Sequence, residues 1–261
     1  MVELKTPREI DAIAAAGEVV AAALLAVRTQ AAVGVRLDQL NEVAASVIRG
    51  AGATPAFLGY TPGFASTPFP GVICASVNDA ALHGIPGPYR LADGDLLGVD
   101  CGAVLDGWVA DAAVTFSVGE PRADDARLVD CAWQALWAGV DAAVAGARLS
   151  DVSAAIGAVG RAGGYGISVD FGGHGVGRAM HESPSVPNEG SPGRGMRLAP
   201  GLVIAVEPWF LAGGDDGYAI DDDGWTLRTR DGSRAAHVEH TIAVTEDGPR
   251  VLTAGPARVP A

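Results

Sequence analysis

The chain has 261 residues, which at roughly 150 residues per domain allows one large domain or two small ones. Apolar residues make up 49% of it and charged residues 19%, a balance that excludes a disordered, collagenous or low-complexity protein. With 18 lysines and arginines against 31 acids, the formal charge of −13 offers phosphate backbones no attraction, and no nucleic-acid partner is expected.

At the N-terminus, Thr6-Pro7-Arg8-Glu9 supplies an N-cap, a proline at the first helical position and a glutamate at N3. A helix is expected to start there and run to about Ala32. Its longest apolar run, Val19 to Val27, has nine residues, short of the roughly 20 that span a bilayer. Glu3, Glu9, Asp11 and Glu18 interrupt any signal-peptide pattern, so a cytoplasmic chain with no membrane partner is expected. A second helix is predicted over Asp38 to Arg49, where Leu40, Val43, Val47 and Ile48 make one apolar stripe and Gly50 ends it. Strand patterns follow at Leu96 to Val104 and Gly107 to Val118, then helices at Ala123 to Ala145 and Ser150 to Ala162. Two further strands are predicted at Leu202 to Phe210 and Ala235 to Val244, and the tail Gly255 to Ala261 is expected to be loose. Cys74, Cys101 and Cys131 are odd in number and widely spaced, so they are expected to be reduced and mostly buried rather than a disulfide framework or a zinc knuckle.

Residues 14–52 align without gaps on residues 126–164, the interhelix turn G-x-R-L recurring as Gly34, Arg36-Leu37 and Gly146, Arg148-Leu149. The chain therefore reads as a duplication. Two α/β halves related by a pseudo-twofold axis, each with helices on a mainly antiparallel sheet, are expected.

The chemistry begins at Asp106-Gly107, the strongest short hairpin dipeptide. If these two residues form the loop, residue i opposes residue 213 − i, and Asp111 lies opposite Gly102. Asp100 and Asp111 then become diagonal neighbours on one face, close enough for both carboxylates to reach one ion. Either this face meets water or a cation offsets the cost of burying two acids. Glu207 and Glu239 are also carboxylates within apolar strands, and the five histidines concentrate in A-L-H83-G-I-P, G-G-H174-G-V-G-R-A-M-H181 and H237-V-E-H240-T. Four acids and a glycine-flanked imidazole suit hard or borderline divalent cations better than a structural zinc. His237 shares strand parity with Glu239, so it is expected beside the site, whereas His240 points to the other face and is expected to pack.

Taken together, Cys74-Ala-Ser-Val-Asn-Asp79 with His83-Gly-Ile-Pro86, Val99-Asp100 with Asp106 to Asp111, Gly173 to Gly177 with His181, Ala205-Val-Glu207-Pro208 and Glu239-His-Thr241 resemble the type I methionine aminopeptidases of the pita-bread metallopeptidase family, M24. The resemblance spans about residues 7–252. It implies an α+β, pseudo-twofold pita-bread (creatinase/aminopeptidase) fold: one catalytic domain over 1–261, with halves of about 7–120 and 121–252. It also implies two divalent cations (Co, Mn, Fe or Zn) held by Asp100, Asp111, His174, Glu207 and Glu239, with Asp111 and Glu239 bridging. Glu207 resembles the family's proton shuttle, and His83 and His181 its histidines that contact the substrate and the developing oxyanion. Tyr60, Cys74, Met180 and Trp225 match pocket positions for the substrate's first side chain, and His237 would support a ligand from behind. The implied activity is removal of N-terminal methionine from nascent polypeptides when the second residue is small, by a monomer in transient contact with ribosomes.

Some positions depart from the family's pattern. The Tyr60–Cys74 connection is several residues longer than usual, Val109-Ala110 replaces a common His-Gly pair, and Trp209 stands where methionine is usual. A pita-bread aminopeptidase of altered first-residue specificity, and a non-catalytic peptide-binding relative, are the alternatives. The long loop is expected to border the pocket, with Phe64 or Phe69 capping it.

Overall fold

The computed structural model describes residues 2–254, so the expectation for Gly255 to Ala261 falls outside the described residues. In chain order the elements are α1 (Pro7–Gln30), α2 (Leu37–Gly50), β1 (Thr54–Pro55), β2 (Ile73–Val77), β3 (Ala80–Leu82), β4 (Asp95–Leu105), β5 (Trp108–Val118), α3 (Ala123–Ala142) and α4 (Leu149–Ala162). They continue with β6 (Gly173–Gly175), β7 (Glu182–Val186), β8 (Val203–Val206), β9 (Trp209–Leu211), β10 (Tyr218–Ile220), β11 (Leu227–Thr229), β12 (Ala235–His237), β13 (Glu239–Thr245) and β14 (Gly248–Val251).

Helix α1 starts where the sequence places it. The Glu9 carboxylate accepts from the Thr6 backbone N–H at 2.8 Å, and the Thr6 hydroxyl receives the Glu9 N–H. By length and composition α1 is apolar enough to cross a membrane, which the run-length criterion missed because alanines and a glycine extend the apolar stretch. Half of that stretch is buried within the protein, with Ile13, Val20 and Val27 in the core beside Leu97 and Ala110 of the central hairpin.

The repeat is visible in the hydrogen bonds. Gly34 and Gly146 sit at φ +88° and +89°, the left-handed region that favours glycine. Each donates its N–H to a leucine carbonyl, of Leu91 and Leu198, and each accepts from an arginine, Arg90 and Arg197. The duplication thus runs beyond the helices, through Arg90-Leu91 to Asp100 and through Arg197-Leu198 to Glu207, at an offset of 107 (197 − 90 and 207 − 100) rather than 112. The antiparallel main sheet runs β1-β4-β5-β13-β8-β6-β7, with β2 added on β4 and β14 on β13. Strands β5 and β13 meet at its centre, so β2-β4-β5 of one half faces β13-β8-β6 of the other. Helices α1 and α2 belong to the first apolar core and α3 and α4 to the second.

The β4–β5 hairpin has the expected register throughout, from Leu105 opposite Trp108 to Asp95 opposite Val118, with Gly102 opposite Asp111. Asp106 and Gly107 take φ +50° and +75°, as a type I′ turn requires. The two later strands differ from expectation. Leu202 to Phe210 breaks at Glu207-Pro208, because proline has no N–H for the ladder. Ala235 to Val244 breaks at Val238, whose N–H instead donates to the Pro208 carbonyl at 3.2 Å. Beyond these breaks β9 and β12 form their own two-stranded sheet, and Glu207 and Glu239, at the two breaks, line one cavity. Cys74 and Cys101 are buried, Cys131 is half-buried, and all three are free.

Candidate metal centre and substrate pocket

The two halves bring their acids to one place. Asp100 and Asp111 come from the central hairpin, Glu207 from the break after β8, Glu239 from the start of β13 and His174 from the middle of β6. Asp111, His174 and Glu239 each offer one ligand atom, all within 4.8 Å of one another, and all three residues are buried. His174 Nε2 lies 3.4 Å from Asp111 Oδ2 and 3.6 Å from Glu207 Oε1. Its Nδ1 is 2.9 Å from the Gly175 carbonyl. A carbonyl only accepts, so Nδ1 carries a proton and Nε2 faces the acids. The Thr241 hydroxyl reaches Asp111 Oδ1 at 2.9 Å, fixing that carboxylate.

So many buried acids cannot all ionise unaided. Burial pushes the Asp100 carboxyl up to about 7, with Asp111 and Glu207 adding to the shift against an opposing His237. Burial beside Asp111, Glu207 and Asp100 holds Glu239 well above the carboxylate range. For His174 burial works downward, but the hydrogen bond and charge of Asp111 outweigh it and raise the imidazole to about 9. Asp100 Oδ1 is buried with no hydrogen-bond partner. An oxygen-rich donor set with one imidazole, crowded negative charge and an orphaned carboxylate oxygen fits divalent cations.

It follows that loading the centre expels protons. Affinity for Mn²⁺ or Co²⁺ is expected to fall as pH drops through about 9 and then about 7. Titration calorimetry in buffers of different ionisation enthalpy should show proton release, and pH-independent affinity across that range would contradict the assignment.

Beside the acids lies a cavity of about 370 Å³ lined by Tyr60, Cys74, His83, Met180, His181 and Trp225, all of them expected, together with Asp100, Asp111, His174, Glu207 and Glu239. Residues not singled out in the sequence also line it, chiefly Phe57, Leu82 and Phe171. His181 stacks on Tyr60 at 5.3 Å, its Nδ1 2.8 Å from the tyrosine hydroxyl, and its ring centroid is 4.1 Å from that of His174. His83 takes φ +56°, and the next residue must be glycine, since a Cβ on Gly84 would fall 2.4 Å from the Ala75 carbonyl oxygen. Burial lowers both His83 and His181 to about 4, so both rings are neutral at pH 7.

His237 lies 3.5 Å from Glu207 Oε2, beside the site as its parity predicts. His240 is on the opposite face, bonded through Nδ1 to the Thr253 hydroxyl at 2.9 Å and flanked by Trp133 and Trp137. The long loop borders the pocket. Phe64 lies flat on His83 at 5.6 Å and meets Trp225 and Phe171 edge-on, while Phe69 is buried against Trp225. The indole N–H of Trp225 donates to the Thr67 carbonyl at 3.2 Å, tying loop to wall. Trp209 is buried, and its indole N–H donates to the carbonyl of Phe171 at 3.3 Å.

Residues 11–246 match Metallopeptidase family M24. The chain belongs to this family. As an M24 metallopeptidase it is a hydrolase that works with divalent metal. It is 51% identical to methionine aminopeptidase 1 of Mycobacterium tuberculosis, over 98% of this chain and 96% of that one. It is 40% identical to the methionine aminopeptidase of Clostridium acetobutylicum, over 97% and 99%. The crystal structure of methionine aminopeptidase from Thermotoga maritima superposes with a TM-score of 0.92 at 38% identity, covering 97% of the M24 chain and 99% of the other. A prolidase from Pyrococcus furiosus shares the fold alone, with a TM-score of 0.77 at 24% identity over 65% of the longer chain.

Proposed function

We infer that this M24 enzyme removes methionine from the N-termini of nascent proteins and peptides, with two divalent cations at the acidic cluster. The single observation that carries the reading is the junction of that cluster with a largely apolar pocket containing Met180, Cys74 and Trp225, a polarisable lining suited to a thioether side chain. Asp111 and Glu239, together with Asp100, His174 and Glu207, would hold the cations. Bound there, the metals would supply an activated water and polarise the scissile carbonyl.

The chain's own groups do the rest. Glu207 is held by His237 and His174 at the margin of the cluster, where its carboxylate holds a proton taken from the attacking water and passes it to the leaving amine. Burial would raise the Glu207 carboxyl, but the nearby imidazoles of His237 and His174 outweigh it and keep Glu207 below its ordinary range, so it starts as the base. With the Tyr60 hydroxyl donating to Nδ1, neutral His181 carries its proton on Nε2 and can donate to the negative oxygen that develops. Neutral His83 orients the substrate backbone under the Phe64 ring. The pocket takes the substrate's first side chain, and a small second residue is the reading for the position next to it. The enzyme is read as a cytoplasmic monomer that meets nascent chains in transient contact with ribosomes and takes no nucleic acid or membrane as partner.

Kinetics on a short peptide series, Met-Ala-Ser beside Leu-Ala-Ser and Ala-Pro, test the reading after reconstitution with each metal. Release of methionine alone is expected. Preferential cleavage of Ala-Pro would replace it with a proline-directed activity, and metal binding without cleavage of any peptide with a non-catalytic role. Replacing the loop tip Pro62–Thr67 by two glycines is expected to change the preference among first residues and leave metal content intact. Unchanged selectivity and KM would show the loop to be surface decoration.

A further inference from the structure

Outside the described site, Lys5 is a nearly fully buried charge: its side chain is 1% exposed, although it comes from the short arm before α1. Its ammonium lies 2.9 Å from Glu182 Oε2 and 2.8 Å from Glu3 Oε2. Burial alone would lower its pKa, but the hydrogen bonds to Glu3 and Glu182 outweigh it and keep the group charged. The surroundings are cut to fit. A Cβ on Gly177 would fall 2.5 Å from the Lys5 ammonium, and one on Gly201 2.7 Å from the Lys5 carbonyl oxygen. The Lys5 backbone N–H donates to the Gly201 carbonyl at 2.7 Å.

Glu182 immediately follows His181. Its Oε1 accepts from the backbone N–H groups of Arg178 and Ala179 at 2.7 and 3.1 Å, so one carboxylate closes the 178–182 turn on one side and takes Lys5 on the other. Gly177, at the start of the turn, is tied to the central hairpin by the Val109 N–H at 2.9 Å. Tyr60 holds the His181 ring but not the main chain beneath it. Buried ion pairs are weak sources of stability, since apolar replacements of similar shape are often neutral. What this pair provides is a fixed direction for the turn.

We propose that Lys5 and Glu182 are positioning residues that hold the main chain of His181 in register with the metal centre, making the N-terminal arm a working part of the site. The proposal rests on the transition-state role given to His181 above.

The test compares Lys5→Met, Glu182→Gln, their double variant and the conservative Lys5→Arg, each metal-loaded. Displacing a catalytic donor by about 1 Å costs up to roughly 100-fold, so kcat is expected to fall about 10- to 100-fold with KM and metal content unchanged. The double variant should be no worse than the poorer single one, because both break one link, and Lys5→Arg should recover most of the loss. In the metal-free, ¹⁵N-histidine-labelled protein the His181 ring resonances should move in both single variants while those of His240 stay. That spectrum decides the proposal even if wild-type enzyme releases no methionine, an outcome that would overturn the proposed function instead. Should Lys5→Met not fold, Glu182→Gln, which conserves shape, carries both readouts. Folded variants with wild-type kcat and unmoved His181 resonances would overturn the proposal, as would losses confined to thermal stability.

Discussion

Asp111→Asn and Glu239→Gln are each expected to abolish metal-dependent turnover, because the carboxylate offsets positive charge that its amide cannot. The loss is expected to exceed the roughly 10- to 100-fold seen when a group behind a metal ligand is removed. Metal analysis should show lower occupancy in both variants. Metal-free protein responds in the opposite sense for Glu239→Gln. Burial among Asp111, Glu207 and Asp100 already disfavours the Glu239 charge, so the neutral amide stands in for the protonated acid and the apo variant should melt no lower than apo wild type. Wild-type turnover by either variant in metal-replete buffer would contradict the assignment of these residues.

His181→Ala separates binding from chemistry. Removing one donor to a developing oxyanion costs about 2.7–4 kcal/mol, or roughly 10²–10³ in kcat, and no metal should be lost, since His181 is stacked on Tyr60 rather than placed among the acids. His174→Ala should do the reverse and lower metal content first. An intact rate in His181→Ala accompanied by lost metal would mean that the two histidines had been assigned each other's roles.

The parts of the fold that were legible in the sequence are those where local chemistry leaves one solution. Asp106-Gly107 permits only a two-residue turn, and that turn fixes eleven-residue strands on either side, which is why the placement of Asp100 against Asp111 followed from arithmetic. The interhelix turns were legible because Gly34 and Gly146 need positive φ. The continuation of the repeat to Asp100 and Glu207 escaped notice because the offset falls from 112 to 107 between Gly52 and Arg90. Strand β6, which carries His174, has three residues, too few for any periodicity, so His174 was legible from its flanking glycines and not as part of a strand. The breaks at Pro208 and Val238 leave no mark in the apolar pattern, which runs straight through them. Pro208 was the available warning. Phe171 lines the pocket from a loop, and only tertiary packing brings it there. Thr241 was within reach, since it lies two residues from Glu239 on the same strand and so shares its face.

The most direct measurement is the mass of a folded protein that begins Met-Ala, incubated with this enzyme before and after metal is restored. The metal-centre assignment and the shape of the pocket predict the loss of one methionine, only with metal present, and no further trimming once alanine is exposed. A substrate mass left intact by fully metal-loaded enzyme, or a loss that proceeds equally in chelator, would contradict it.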